Sequence, residues 1–380
     1  MVPHAGNGVA RARFAGLDVS PVAIWGDDEC EYSRIVLLDT DLTFDPDGRY
    51  AAATEAEDDG YAGLWAAEVG HDPLLVLAGA ATVTSRIELG TGILVAFGRS
   101  PMITATQAND VQRLSRGRLL LGIGSQIKPH IEKRYSMPWS HPAPRMREYI
   151  LAMRAIWSAW NDGTALNFRG EYYRHTLMTP FFSPAPHDYG APRVLLAAVG
   201  ELMTEVAGEV ADGLLVHPFT TERYLREVTV PALERGLARS SRTRRDFQIS
   251  FSGLIASGED DAAQREAEAA VRAQIAFYAS TPAYRGVLEL HGWGGLQPEL
   301  AQLARRGEWA AMGDLIPDDV LDDVAIVAAP KDVAAALRTR FGDVVDRFSI
   351  YAPSGMADST RRTIAQGLGL TVDQRPEELT

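Results

Sequence analysis

The chain has 380 residues, 46% hydrophobic and 23% charged, with a formal net charge of −13 and a single cysteine, Cys30. That length holds one large domain or two ordinary ones around a sizeable core. The acidic balance argues against nucleic acid or an anionic membrane as partner, and one cysteine excludes an internal disulfide framework or a multi-cysteine metal site.

No apolar run reaches the roughly 18 residues of a spanning helix. The opening stretch MVPHAGNGVARARF lacks an apolar signal core, so a soluble cytoplasmic protein is expected. Residues 1–33 mix Gly, Pro and Asp without a period and read as an extension outside the main fold. RIVLLD (34–39) is the first strand, followed by a helix over about 50–58 closed by Gly60. AGLWAAE (62–68) is the second strand, running into the polar cluster Glu68, Gly70, His71, Asp72, and Pro73 begins a helix to about Thr84.

The stretch 86–124 reads as strand, helix, strand. Residues 87–95 are apolar but broken by Gly90, Thr91 and Gly92, which suggests a bulge or a close backbone approach. Ser100 offers an N-cap oxygen, Pro101 suits the first helical position, and Gly117 ends the helix. Residues 118–123 form the next strand. Near-continuous apolar strands joined by helices make right-handed βαβ units of a parallel sheet.

Residues 124–139 read as irregular, and 145 onwards as a helix with Met146, Ile150, Met153, Trp157 and Trp160 on one face. A hairpin over 166–176 turns at Arg169-Gly170, inside an insertion of about 164–192 that continues as a Pro-rich loop. Residues 194–198 form a strand and Gly200 opens a helix; 214–217 form a strand and Thr220 caps the following helix. Residues 247–256 are the seventh strand, and an Ala- and Glu-rich helix spans about 260–279. A second insertion, about 281–330, is irregular to Leu315; a helix over 330–341, the eighth strand at 345–351 and a helix near 356–368 end the chain. Eight strands nearly all followed by helices fit a (β/α)8 TIM barrel over 34–353, insertions after strands four and seven, and a C-terminal helix and tail over 354–380.

In such a barrel, chemistry sits at the C-terminal ends of the strands. That rule selects Asp39 and Asp41, Glu68 and His71, Gly92 and Ile93, Ser125 and Gln126, Ala198 to Gly200, His217, and Tyr351. AAVGELM (197–203) suits a phosphate, because small residues let the backbone approach and the next helix offers free N–H groups. Tight strand–helix packing explains the same residues. His71 and His217 suit acid–base work or ring contacts, and equally a structural place. Glu68 is a base or a loop ion-pair partner. Lys128, Lys133, Arg134, Arg145 and Arg147 form a basic cluster, either a solvated face or an anion-facing rim. The motifs of metalloproteases, P-loop NTPases and serine hydrolases are missing.

Six segments in order carry a resemblance: LGTGILVAFGRSP (89–101), GRLLLGIGS (117–125), RMREYILAMRAIW (145–157), FRGEYYRH (168–175), LLAAVG (195–200) and EVADGLLVHPF (209–219). Together they resemble the luciferase-like monooxygenase superfamily, and within it the oxidoreductases that use coenzyme F420. The resemblance covers about 34–353. It implies a flavin-binding barrel, a homodimer, a non-proline cis peptide at Gly92-Ile93 supporting the ring system, and a cofactor phosphate held by Ala197, Ala198, Val199 and Gly200. Ser125, Gln126 and Met203 join these as cofactor contacts. Glu68 falls where sugar-phosphate-oxidising relatives have an aspartate beside a catalytic histidine. Ile127 falls where those relatives have a glutamate, so their acid–base scheme and their substrate do not transfer.

The implied activity is hydride transfer between the deazaflavin C5 and a small organic substrate. His71 is expected to handle the proton, helped by Glu68, with Trp139, His217 and Phe219 lining the substrate pocket. The alternative on the same barrel is a monooxygenase using reduced FMN and oxygen, served by a flavin reductase. A second alternative is a flavin-binding protein without catalysis.

Overall fold

The computed structural model describes residues 36–370. The extension expected over 1–33 and residues 371–380 lie outside the described residues. Eight parallel strands follow one another: β1 (Leu37–Asp41), β2 (Gly63–Ala66), β3 (Glu88–Thr91, continued by Leu94–Val95), β4 (Leu119–Gly124), β5 (Arg193–Ala198), β6 (Gly213–Val216), β7 (Gln248–Ala256) and β8 (Arg347–Tyr351). Each pairs with the next in sequence, and β8 returns to β1 in the register Leu37↔Arg347 to Asp39↔Ser349. The sheet therefore closes on itself with no open edge. The (β/α)8 barrel expected from the strand pattern is the fold.

The helices that cover the strands start where local chemistry dictates. They are α1 (Ala51–Asp58), α2 (Pro73–Val83), α3 (Pro101–Leu114), α4 (Pro142–Asn161), α5 (Glu201–Val210) and α6 (Val230–Arg239). Ser100 accepts the Ile103 N–H at 3.3 Å ahead of Pro101, and Asp72 accepts the Leu74 N–H at 2.9 Å ahead of Pro73. Each hydroxyl or carboxylate satisfies one otherwise unpaired first-turn donor. Gly117, with φ +90°, ends α3 in a conformation that costs only glycine nothing. The α4 stripe is buried as expected, and the Trp157 indole donates to the Ala105 carbonyl at 3.0 Å, tying α4 to α3.

Four local expectations are corrected. The third strand breaks into two pieces around Gly92 and Ile93. The segment after β4 contains a short helix, Lys128–Lys133, opened by Pro129. The cap ahead of α6 is Thr221, whose hydroxyl accepts the Tyr224 N–H at 3.0 Å; Thr220 has a buried hydroxyl with no partner. The chain then passes through a π-helical turn, Leu225–Thr229, before α6.

The largest correction concerns the segment after β7. The helix α7 (Asp261–Ala279) follows β7 and packs against its end, Val271 and Ile275 sharing a cluster with Leu254 and Ala256. It begins an excursion that includes further helices, among them Arg285–Leu290, Leu296–Arg306 and Asp318–Val324. The chain returns as the short strand Ile326–Val327, which pairs in parallel with the end of β7 through Ile255↔Ile326. It continues into α8 (Pro330–Phe341), whose Phe341 ring meets Phe251 of β7 at 5.0 Å, and after β8 comes α9 (Asp358–Gly367). The excursion has its own apolar centre, with Val271, Ile275, Leu288, Leu300 and Val320 packed around Phe219 and Leu254. It is helical, not irregular.

Inside the barrel, the N-terminal end is closed by an ion network. The fully buried Arg347 donates to both oxygens of Asp39 at 2.8 and 2.6 Å and also pairs with Glu88, which binds Arg193 at 2.5 Å. Burial pushes the Asp39 carboxyl above its ordinary range, and Arg347 pulls against it. Above this layer the Trp65 ring packs on Leu120 and Leu195, its indole donating to Asp39 at 2.8 Å. A side chain at Gly90 would overlap that ring, which accounts for one of the glycines that interrupt β3. The plug leaves the opposite end of the barrel open.

Candidate active site

At the C-terminal ends of the strands lies one cavity of about 1220 Å³. Most of the residues selected from the sequence meet there: His71, Gly92, Ile93, Ser125, Gln126, Trp139, Ala197, Ala198, Val199, Gly200, Met203 and His217 all line it. Glu68 and Phe219 do not line it.

The β5 end builds one wall. Ala197–Gly200 leads directly into α5, where Gly200 is the N-cap residue and no side chain caps the first turn. The leading amides of α5 therefore have no intrahelical acceptor and carry the positive end of the helix dipole. No protein atom lies within 4 Å of where a Gly200 Cβ would sit, so the approach is open. This is a fitting place for a phosphate. Across from it, the Gly92–Ile93 peptide is cis, as the resemblance implied. Ile93, Ile127, Met203 and Trp139 add apolar surface, and the Trp139 ring meets Phe97 edge-on at 5.7 Å. An extended ring with a phosphate tail matches this donor set and these walls.

Glu68 has a different place. Its carboxylate accepts from the Arg99 guanidinium at 2.9 and 2.7 Å, from the Tyr135 hydroxyl at 2.9 Å and from the Val95 N–H at 2.7 Å. Its own N–H donates to the Ile93 carbonyl at 3.2 Å. With its oxygens engaged and its side chain 8% exposed, it fixes the corner between β2 and β3 and is not free to act as a base. Phe219 is buried under the excursion, and only its backbone N–H matters to the site.

The cavity's carboxyl group is Asp41 at the end of β1, a strand-end residue passed over in favour of Glu68. Its side chain is exposed at the cavity, while the protein packed nearby still takes away part of its water. That desolvation raises its affinity for a proton, opposed by Arg361. His71 also faces the cavity, stacked on Phe44 with ring centres 4.4 Å apart.

The two histidines differ. His217 accepts the Phe219 N–H at its Nδ1 (3.0 Å) and contacts the Tyr284 hydroxyl at its Nε2 (2.9 Å). Burial pushes its pKa down to about 3, so the ring is neutral. Tyr278 and Tyr284, both in or beside the excursion, complete this wall. Sequence reasoning missed them because the strand-end rule does not reach a segment that folds back over the barrel mouth. The aromatic spacing FYASTPAY (277–284) was the available signal.

The basic cluster does not form one rim. Arg145 donates to Tyr173 and the Pro138 carbonyl, Arg147 pairs with Glu209, and Arg134 binds the Val69 carbonyl. Of the five, Lys128 alone lines the cavity.

A family model described as luciferase-like monooxygenase matches residues 38–347. An uncharacterized protein of Mycobacterium tuberculosis is 58% identical over 296 residues, covering 78% of this chain and 87% of its own. The 5,10-methylenetetrahydromethanopterin reductase of Archaeoglobus fulgidus is 27% identical over 286 residues, covering 73% and 81%. Among solved structures, the coenzyme F420-dependent tetrahydromethanopterin reductase of Methanopyrus kandleri shares the fold with a TM-score of 0.72 at 22% identity, covering 87% of this chain and 97% of that one. Among the described residues, no helix is long and apolar enough to cross a membrane.

Proposed function

Because this chain belongs to the luciferase-like monooxygenase family, we propose that it is an oxidoreductase that uses coenzyme F420 to exchange a hydride with a small organic substrate. One observation carries the reading: a single cavity joins the uncapped start of α5, an apolar bed at Gly92–Ile93, and the titratable side chains of Asp41 and His71. Similarity to the F420-dependent reductase of M. kandleri supports the choice of cofactor.

Bound there, the deazaflavin supplies the hydride at C5, and the protein supplies position and protons. The first-turn amides of α5 hold a phosphate, and Gly200 keeps that approach clear. Ile93, Ile127 and Met203 give the ring an apolar bed and exclude water. Asp41, with its raised proton affinity, carries a proton to or from the substrate oxygen. His71 sits at the same open side, held by Phe44, and relays that proton to solvent. Ser125 and Gln126 contribute polar atoms at the β4 end.

The phosphate wall serves FMN equally well, and the dispersed arginines remove the basic rim as an argument for the longer F420 tail. Turnover separates the two. Reduced F420 is mixed with small ketones and aldehydes, and oxidised F420 with small alcohols, without oxygen, while its absorbance is followed. Oxidation or reduction of F420 in one of these pairs is the expected result. Product formed solely from reduced FMN and oxygen would replace this reading with a monooxygenase.

A further inference from the structure

We infer that the Tyr284 hydroxyl, oriented by His217, donates a hydrogen bond to the substrate's oxygen, so the cavity selects compounds with an apolar body and an accepting oxygen such as a carbonyl. The inference rests on the proposed function only for the identity of the reaction; the hydrogen-bond donor itself stands on geometry.

The argument begins at a backbone amide. The Phe219 N–H can only donate, and it points at Nδ1 of His217 at 3.0 Å. Nδ1 must therefore be the bare nitrogen, and the proton of the neutral ring sits on Nε2. Nε2 lies 2.9 Å from the Tyr284 oxygen, so there the imidazole is the donor and the phenol oxygen the acceptor. The Tyr284 proton is thereby turned away from His217. Among the described residues no other acceptor for it is found, while the tyrosine lines the cavity.

Two features keep this arrangement fixed. The His217 and Tyr284 rings stack at 4.3 Å with 26° between planes, and Tyr278 closes on His217 edge-on at 4.7 Å. Burial pushes the Tyr284 hydroxyl up to about 12, so it keeps its proton across the working range. Thr281, Ser250, Ser252 and Ser349 also line the cavity, but the partner found for the Tyr284 hydroxyl among the described residues is His217. A substrate oxygen entering here takes the place of water on that proton. His217 acts as a positioning residue, through the tyrosine.

The test uses the full chain, with and without F420, and two probes of one shape. Cyclohexanone carries an oxygen where methylenecyclohexane carries a CH2. Ligand-observed NMR should give the ketone a roughly five- to tenfold tighter binding to the wild type, the worth of one hydrogen bond. Tyr284→Phe should abolish that preference while leaving the alkene's affinity unchanged. Nitrogen-15 spectra of histidine-labelled protein should show His217 with a protonated Nε2 and a bare Nδ1 in both proteins. A preference that survives in Tyr284→Phe, or a protonated Nδ1, would overturn the inference. Loss of F420 binding with the ketone preference intact would instead count against the proposed cofactor and leave the donor standing.

Discussion

The two histidines of the cavity look alike in the sequence, each at the end of a barrel strand, and they end in different surroundings. His71 faces open solvent on one rim, with Phe44 as its ring contact. His217 sits on the other rim with both ring nitrogens engaged and its charge suppressed by burial. On the proposed reading one rim would move protons, and the other would present a fixed dipole. Residue type and strand position do not separate these roles; the partners do.

The largest effect expected from breaking this division is on the proton-handling rim. Asp41→Asn keeps the shape of the site but removes its titratable carboxyl, and should lower turnover about 10²- to 10⁴-fold with F420 affinity nearly unchanged. Steady-state rates beside a binding titration decide it, and a wild-type rate in Asp41→Asn would remove the residue from the scheme. Glu68→Ala should act on stability instead. Leaving Arg99 and the Val95 N–H without their carboxylate should cost about 2–3 kcal/mol, read as a lower denaturant midpoint. His71→Ala should cut turnover about tenfold without weakening cofactor binding; a loss of binding alone would sink its role as a proton relay.

The smallest effect lies on the fixed rim and depends on pH. His217 is held below its unfolded pKa, so the unfolded chain binds the proton first as pH falls. The stability it contributes is complete above about pH 6.5 and is lost as pH drops toward 3, by at most about 1.4 kcal/mol per pH unit. The groups packed on it are Tyr278, Tyr284 and the Phe219 backbone, and none of these changes charge in that window. Urea midpoints at pH 7 and pH 5 should therefore converge in His217→Gln relative to the wild type. Equal pH slopes in the two proteins would contradict a neutral, buried His217.

What the sequence made legible follows from the range of the forces involved. Apolar runs and local caps such as Ser100-Pro101 act within a few residues, and they placed the strands and most barrel helices to within a turn. The cradle at Ala197–Gly200 was visible because a strand end and a helix start are neighbours in the chain. Glu68 was misjudged because its partners Arg99 and Tyr135 lie 31 and 67 positions away. Tyr284 escaped notice because it meets His217 across 67 residues. In the excursion, Gly292, Gly294 and Gly295 broke the pattern, and the amphipathic spacing of Leu296, Leu300 and Leu303 beyond them was overlooked.

The proposed function turns on the cavity being a deazaflavin site, and fluorescence titration of the purified protein with F420 and with FMN, each at low and moderate salt, tests that claim most directly. The account predicts saturable F420 binding tighter than that of FMN, weakened by Gly200→Val, whose side chain would project into the phosphate approach at the start of α5. Tighter binding of FMN, or F420 binding indifferent to Gly200→Val, would contradict it.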